Sequence, residues 1–343
     1  MLFNINNTGS DELLQCTGYH YANNEFSRIQ TDVILAEEEV KNIIGEGVYN
    51  LADNHYNGTG SGSGSASGSG SDTGDSLLDR LVRHIQIPVA YLATLNYFKS
   101  TDLSHEDTGR KVKVNPDVER IAFEWQYERD DAAMMNKFHK TMDRLIKFLD
   151  DNQNNIAAWK NSTAQQTIRG LFIKDATTFQ YYFPIDNSRR FFVVISPFIK
   201  EIQEKKIKPA LGESEYNALL TKWKEQSTEE ADDTLLSYIK PVLAWFTMEM
   251  AVKALSIQAL PEGVMRRYFT DGKQTQLPDL SGQPVLITKV AGFFETEGRL
   301  RMDELQTYLM SIAETSGSGS ASSDFDADDY LPTNDSDNAY FRT

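Results

Sequence analysis

The sequence predicts a mainly α-helical protein that contains two copies of one helical-bundle unit. Two observations support this fold class. Apolar residues recur every three or four positions along most of the chain, as they do on the buried face of an amphipathic helix. In addition, "IIGEGVYNLA" at 43–52 resembles "ALGESEYNAL" at 210–219, and an internal repeat of this kind usually marks a duplicated supersecondary unit.

The first half of the chain contains three helical patterns. One begins near Thr31 or Asp32, either of which suits a helix N-cap. A second covers 76–98 and contains Pro88, which predicts a kink or a break because proline lacks the N–H that an inner helical turn donates. A third extends from about Pro116 to Asp150. The apolar stripes of these helices include Val33, Ala36, Val40, Leu81, Ile85, Val89, Phe138, Met142 and Leu149.

The second half follows the same pattern, with helices predicted at 188–211, 232–255 and 286–314. Strand signals are few. The β-branched run Val285–Thr288 is the best candidate for a strand.

The repeat is supported by its register. The turn signature consists of a Gly, a Glu, a Tyr and an Asn that recur at an offset of 167 residues, namely Gly45, Glu46, Tyr49 and Asn50, then Gly212, Glu213, Tyr216 and Asn217. The helices that follow match at an offset of 154, and a Gly/Ser run separates turn from helix in the first copy only. An insertion there explains the difference and favours a duplication, and chance similarity between two helical hairpins is the alternative.

The residue types of the turn have physical reasons. A left-handed helix C-cap strains any residue that carries a Cβ, so glycine is expected at this position. The tyrosine is expected to pack its ring over the turn while its hydroxyl reaches the surface.

These patterns divide the 343-residue chain into four regions. They are an N-terminal arm at 1–30, a first repeat at 31–160 with a flexible Gly/Ser insertion at 58–74, a second repeat at 161–315, and a flexible acidic C-terminal tail at 316–343. The insertion has no side chains that could enter a core, so a flexible coil is expected. A natural low-complexity segment and an engineered linker both explain it.

Composition excludes several classes of protein. The net charge of −16 argues against a role in coating DNA, which needs surplus Lys and Arg. We expect no signal peptide and no membrane span, because no long uninterrupted apolar stretch is present. Cys16 is the only cysteine, which excludes an intramolecular disulfide, and we expect it to pack as a small hydrophobe. The five histidines form no ligand pair, so neither a metal nor a cofactor is predicted.

One motif suggests catalysis. "TGDSLLD" at 73–79 contains the letters of an esterase signature around Ser76, and Asp102 with His105 supplies an acid and a base. A serine nucleophile, however, needs a rigid turn after a strand. Ser76 follows a Gly/Ser run and is expected to cap a helix, so an esterase is a weaker alternative and no catalytic residue is predicted.

Two features suggest subunit contacts. Basic residues cluster near the second turn, at Lys205, Lys206, Lys208, Arg189 and Arg190. The tail contains six Asp against one Arg and ends in the aromatic residues Tyr340 and Phe341. A self-repelling acidic segment with terminal aromatics suits docking on a neighbouring subunit, and an unattached tail is the open alternative.

Five segments carry a resemblance to a known family: "FEWQYER", "FLDDNQNNIAAWKNS", "FQYYFPIDNSRRFF", "IKPALGESEYNAL" and "LLSYIKPVLAWFTMEMAVKAL". In this order they resemble a family encoded in the structural modules of tailed phages and prophages of gut bacteria, including the crAss-like phages. The likeness covers roughly 36–314, and the Gly/Ser segments depart from it. Each half also resembles the small helical adaptor of head–tail connectors.

The resemblance implies a structural virion protein without catalytic residues. It would form a ring, dodecameric to match a portal, in the neck between capsid and tail, after assembly in the host cytoplasm. Its expected partners are the portal protein, other neck and tail proteins, and genomic DNA that passes without specific binding. A cytosolic helical scaffold unrelated to a virion is the alternative function.

Overall fold

The computed structural model describes residues 1–19, 25–59, 76–102, 104–106, 109–111, 123–255, 257–260, 263–270, 273–277 and 284–315. Within these residues the chain is mainly α-helical, as predicted, with five short strands.

The first unit begins with two helices that precede the Gly45 turn. In chain order it contains α1 (Gly9–Thr17), α2 (Phe26–Ile44), α3 (Glu46–Thr59), α4 (Leu77–Thr101), β1 (Ser104–Glu106), β2 (Gly109–Lys111) and α5 (Glu124–Asp151). α2 starts at Phe26, so the cap predicted at Thr31 or Asp32 is wrong. The reason is that Phe26 and Ile29 are buried and extend the apolar face of the helix toward its N-terminus.

Two short helices connect the units, and the second unit then repeats the element order of the first. The connecting helices are α6 (Ala157–Lys160) and α7 (Thr163–Arg169). The second unit contains α8 (Ala176–Tyr182), α9 (Arg189–Ile202), a π-helical turn (Gln203–Ile207), α10 (Lys208–Leu211), α11 (Glu213–Glu225), α12 (Glu230–Leu255), β3 (Ile257–Leu260), β4 (Gly263–Thr270), β5 (Lys273–Leu277) and α13 (Pro284–Thr315). The predicted duplication of a helical unit is confirmed.

The strands form antiparallel hairpins between the last two helices of each unit. β1 pairs with β2, and β3, β4 and β5 form a sheet in that order. The strand predicted at Val285–Thr288 is wrong, because this segment belongs to the first turns of α13. Pro284 at the first helical position favours a helix start there, since its missing N–H would have no helical partner.

Three of the described helices continue through an inner proline. α4 contains Pro88, α9 contains Pro197 and α12 contains Pro241, yet each is one uninterrupted helix. Of the kink or break predicted at Pro88, a break therefore does not occur. Buried residues on both sides of the proline, Ile85 and Val89 in α4, keep the helix packed against its neighbours and offset the lost backbone hydrogen bond.

Each unit has its own hydrophobic core. The first contains the buried faces of α2, α4 and α5, closed by Trp159 of α6. Leu2, Phe3 and Leu13 are fully buried in this core, so residues 2–17, assigned above to an arm, pack as part of the first unit. The second core is built around α9 and α12, with Leu305 of α13.

α12 is the central helix of the second core. Among the described helices, it alone is long and apolar enough to span a membrane. Half of its most apolar window is buried inside the protein. Ile239, Val242 and Leu243 are fully buried there. The apolar character of α12 is therefore explained by packing in the core.

The two units meet where α5 packs against α9. The Asp143 carboxylate accepts hydrogen bonds from the backbone N–H of Arg190 at 2.6 Å and from the Ser188 hydroxyl at 3.0 Å. Val193 contacts both cores. Because Ser188 also caps α9, one carboxylate ties the start of this helix to the first unit.

We expect Asp143→Ala to lower the free energy of unfolding by about 1–3 kcal/mol, because the N–H of Arg190 loses its acceptor. Urea unfolding would measure this change. Asp151→Ala, at the exposed end of the same helix, is the matched control and should change stability by less than about 0.5 kcal/mol. Equal effects of the two substitutions would contradict a role of Asp143 in joining the units.

Candidate functional site

The repeated turn is the feature in which the two units agree most closely. Gly45 has φ 90° and ψ 149°, and Gly212 has φ 83° and ψ 151°. These angles differ from the left-handed helical cap that the sequence predicts, since ψ is extended. This region of backbone space is essentially restricted to glycine, so the requirement for glycine is stricter than expected.

The same ion pair bridges both turns. Lys41 Nζ lies 3.0 Å from Glu46 Oε1, and Lys208 Nζ lies 2.7 Å from Glu213 Oε1. The glycine N–H of each turn donates to the carbonyl of the same lysine. Lys41 was not among the predicted site residues, although it precedes Lys208 by the same offset of 167 residues.

The tyrosine hydroxyls of the turns lie inside the protein, contrary to prediction. Tyr49 and Tyr216 are 8% and 5% exposed. Burial, followed by the charge of the nearby Glu37 carboxylate, raises the pKa of the Tyr49 hydroxyl, so the two groups lie close together. The Tyr216 hydroxyl accepts from Gln203 Nε2 at 2.8 Å. Each hydroxyl points inward because a polar side chain of the preceding helix offers it a buried partner.

The same buried polar side chains also bind the start of each unit. Glu37 Oε1 accepts from the N–H of Leu2 at 2.6 Å, and Gln203 Oε1 accepts from the N–H of Phe172 at 2.9 Å. The sequence reads Leu-Phe at 2–3 and again at 171–172, and these four residues are buried. Sequence reasoning missed this second repeat because two matched residues are too weak a signal alone.

A one-residue difference separates the two copies. Glu37 and Gln203 are 166 residues apart, whereas the turns are 167 apart. The π-helical turn Gln203–Ile207 lies in this interval in the second unit, and α2 has no counterpart to it. A π-turn accommodates one extra residue in a helix, so both units keep the polar side chain opposite the tyrosine. The remaining signature residues, Asn50 and Asn217, are exposed.

The predicted basic contact cluster is divided among different partners. Lys205 Nζ pairs with Glu201 at 2.5 Å, and Lys208 is engaged in the turn. Lys206 Nζ lies 4.0 Å from the centroid of the Phe246 ring. Arg189 and Arg190 lie at the start of α9 beside the first unit, on a different part of the surface. Tyr340 and Phe341 lie outside the described residues.

A cleft of about 620 Å³ lies between the units. Its lining includes four basic residues, Arg169, Lys174, Arg189 and Lys224, and two acidic residues, Asp150 and Asp175. Both acids have partners within the chain. Asp150 accepts from Trp159 Nε1 and Gln165 Nε2, and Asp175 caps α8. No sequence pattern indicated this cleft, because its residues come from segments far apart in the chain.

Ser76 lies in a helix-capping arrangement. Its hydroxyl accepts from the N–H of Asp79 and donates to the Asp79 carboxylate at 2.6 Å, while His55 Nε2 lies 2.7 Å from the other carboxylate oxygen. The acid therefore stands between the serine and the histidine, so His55 does not take the serine proton in this arrangement. The side chain of His105 lies outside the described residues.

Cys16 packs as predicted. It contacts the first core, and burial, with a smaller effect of Glu12, raises the pKa of its thiol to about 12. A thiol that stays protonated is a poor nucleophile. No group of three metal-ligating side chains occurs in the part of the chain that the structure describes.

A model of the family of unknown function DUF6712 matches residues 40–169 and 207–314, which together make up more than half of the chain. This chain belongs to the DUF6712 family. Each matched range contains one Gly turn and the helices that follow it. The comparison found no match among curated proteins and none among solved structures.

We expect Gly212→Ala to lower the free energy of unfolding of this DUF6712 protein by about 1–3 kcal/mol, because alanine is strained at this φ and ψ. Nothing lies within 4 Å of the added Cβ, so strain alone would cause the loss. Gly292→Ala is the matched control. It lies in α13 with equally open surroundings, and alanine there should stabilise by up to about 1 kcal/mol. Chemical unfolding of both variants would test this prediction. A free energy of unfolding that Gly212→Ala leaves unchanged would contradict backbone strain at this position.

Burial raises the pKa of the Glu37 carboxyl above its usual value. The folded chain therefore binds this proton more tightly than the unfolded chain, and stability is lost as rising pH ionises Glu37. Glu37→Gln should be more stable than wild type by about 1 kcal/mol near neutral pH, since Gln203 makes the equivalent contacts uncharged.

The gain should shrink as the pH falls toward the ordinary carboxyl range, because Glu37 is then protonated in both states. Melting temperatures of the two chains from about pH 4 to about pH 8 measure this difference. Glu38→Gln, at the exposed neighbouring position, is the control and should show no such trend. A gain that is independent of pH would contradict the assignment to Glu37 ionisation.

Proposed function

We propose that this chain is a structural virion protein that forms a ring in the neck of a tailed phage, joins the portal and capsid to the tail, and lines the DNA conduit. The proposal rests on the sequence resemblance described above and on how the two units are built. Their shared features, the Gly turn, the lysine bridge and the buried tyrosine contact, all stabilise the fold. A duplicated structural unit of this kind suits a role in assembly.

The observation that carries the proposal is the exposed apolar surface on equivalent helices of the two units. At the start of α5, Phe123 is 69% and Trp125 is 56% exposed. On α13, the counterpart of α5, Phe293 is 56% and Met310 is 63% exposed. Exposed groups of large apolar side chains mark interaction surfaces.

Two different apolar surfaces on one chain suit head-to-tail association. If the α5 surface of one copy contacts the α13 surface of the next, the interface is heterologous, and such interfaces generate rings when the rotation closes.

The net charge of −16 suits a conduit for DNA. Phosphate groups are repelled by a surface rich in carboxylates, so DNA would slide through such a ring without binding.

Native mass spectrometry of the purified chain, alone and with the portal protein of the same genome, tests the proposal. We expect a closed ring, alone or in the presence of portal, because head-to-tail interfaces close into rings, and about twelve copies in it, as the family resemblance implies. A monomer that does not bind the portal protein would overturn the proposal and favour a cytosolic helical scaffold.

A pair of variants tests the surface itself. Trp125→Glu places a charge in the α5 surface and should abolish the ring, since an interface core does not tolerate an unpaired charge. Tyr181→Glu is the matched control, because Tyr181 is 81% exposed and lies on α8, outside α5 and α13. Circular dichroism would verify that both variants remain folded. A ring that persists in Trp125→Glu would exclude this surface as the contact.

A further inference from the structure

We propose that the Asp-rich segment 324–337 of this chain binds in the cleft between the two units of the same chain. The inference is independent of ring formation. It rests on the charges of the cleft, the composition of the segment, and the place where α13 ends.

The cleft contains cations without an anionic partner. In the described part of the chain, Arg169 and Lys224 form no ion pair. Lys174 donates to the Trp223 carbonyl at 2.9 Å, and its ammonium lies 4.3 Å from the centroid of the Trp223 ring. Three cationic side chains that line the cleft thus have no carboxylate partner among the described residues.

These cations repel one another. Burial, followed by the charges of Lys224 and Lys240, lowers the pKa of Lys174. An anion in the cleft would relieve this repulsion, because an opposite charge nearby favours the protonated ammonium. The charge of the cleft is therefore complementary to a ligand with several negative charges.

The basic cluster predicted from the sequence is a poorer receptor. Lys205 and Lys208 already pair with Glu201 and Glu213. A ligand that bound there would have to displace these carboxylates and would gain less from each contact.

The segment 324–337 has the complementary composition. It reads "DFDADDYLPTNDSD", with six Asp and no basic residue. It also contains Phe325 and Leu331, and the cleft is lined by apolar as well as basic side chains, among them Phe192. Charge and apolar contacts are both available to the same peptide.

The chain leaves α13 near the cleft. The rings of Tyr238 and Tyr308 stack at 4.4 Å, and those of Trp245 and Phe293 lie 6.1 Å apart, so α12 and α13 are antiparallel. Thr315 is about 10 Å beyond Tyr308 along α13, which places it at the end of the unit where α12 begins.

The connection from α11 to α12 lies at this same end. Lys222 pairs with Asp232 at 2.9 Å, and Gln226, between them in sequence, lines the cleft. The nine chain steps from Thr315 to Asp324 span at most about 30 Å. This length is sufficient to bring the Asp-rich segment from the end of α13 into the cleft of the same chain.

Carbodiimide cross-linking of the full chain tests the proposal, because this reagent joins a carboxylate to an amine only when the two are in contact. Mass spectrometry should find 324–337 joined to Lys224 or Lys174. In an equal mixture of isotopically labelled and unlabelled chains, these cross-links should stay within one chain. No cross-link to either lysine, links mainly to Lys205 or Lys208, or links between labelled and unlabelled chains would each overturn the proposal.

A charge variant supplies an independent measurement. Arg169→Gln removes a cleft cation that carbodiimide does not modify, so the yield of the Lys224 cross-link reports binding. We expect this yield to fall about two- to fivefold, as the loss of one ion pair predicts. Arg299→Gln, on the exposed face of α13, is the matched control and should leave the yield unchanged. Equal yields for wild type and Arg169→Gln would contradict binding in the cleft.

Discussion

A buried contact between a tyrosine side chain and a polar helix side chain links the parts of each unit. In both units the polar side chain lies near the tyrosine of the helix after the turn and accepts a hydrogen bond from the Leu-Phe segment near the start of the unit. A buried polar group without a partner costs about 1–3 kcal/mol, so the tyrosine and its partner each require the other. The glycine turn makes this contact possible. Its unusual backbone angles place the tyrosine of the following helix over the preceding helix.

The two units have diverged without losing this contact. The first uses a carboxylate and the second an amide, and the second helix contains one more residue, which the π-helical turn absorbs. An ordinary α-helix with that extra residue would rotate the following side chains by about 100° and move Gln203 away from Tyr216. The π-turn is therefore the local compensation that preserves one packing arrangement in two different sequences.

Charge is distributed unevenly over the molecule. Several basic side chains of the second unit form ion pairs within the chain, as Lys208 does with Glu213, while the cleft between the units contains cations whose carboxylate neighbours already have other partners. The junction at Asp143 sets the shape of this cleft, because it anchors α9 against α5. The exposed apolar side chains of α5 and α13 and the basic cleft where the units meet are thus separate features of the surface.

The sequence by itself determined the helical class, the duplication, and the need for glycine at 45 and 212, because helical periodicity and backbone strain are local properties. Three predictions from sequence patterns were wrong. They were the start of α2, a strand at the start of α13, and tyrosine hydroxyls that reach the surface. Tertiary packing decided each of these features. Phe26 and Ile29 are buried in the first core, α13 packs against α12, and the Tyr49 hydroxyl lies close to the Glu37 carboxylate. The cleft also required the folded chain, since Arg169, Lys174 and Lys224 come from α7, the segment before α8, and α11, and line one cleft only after folding. Such distant contacts leave no periodic signal in a sequence.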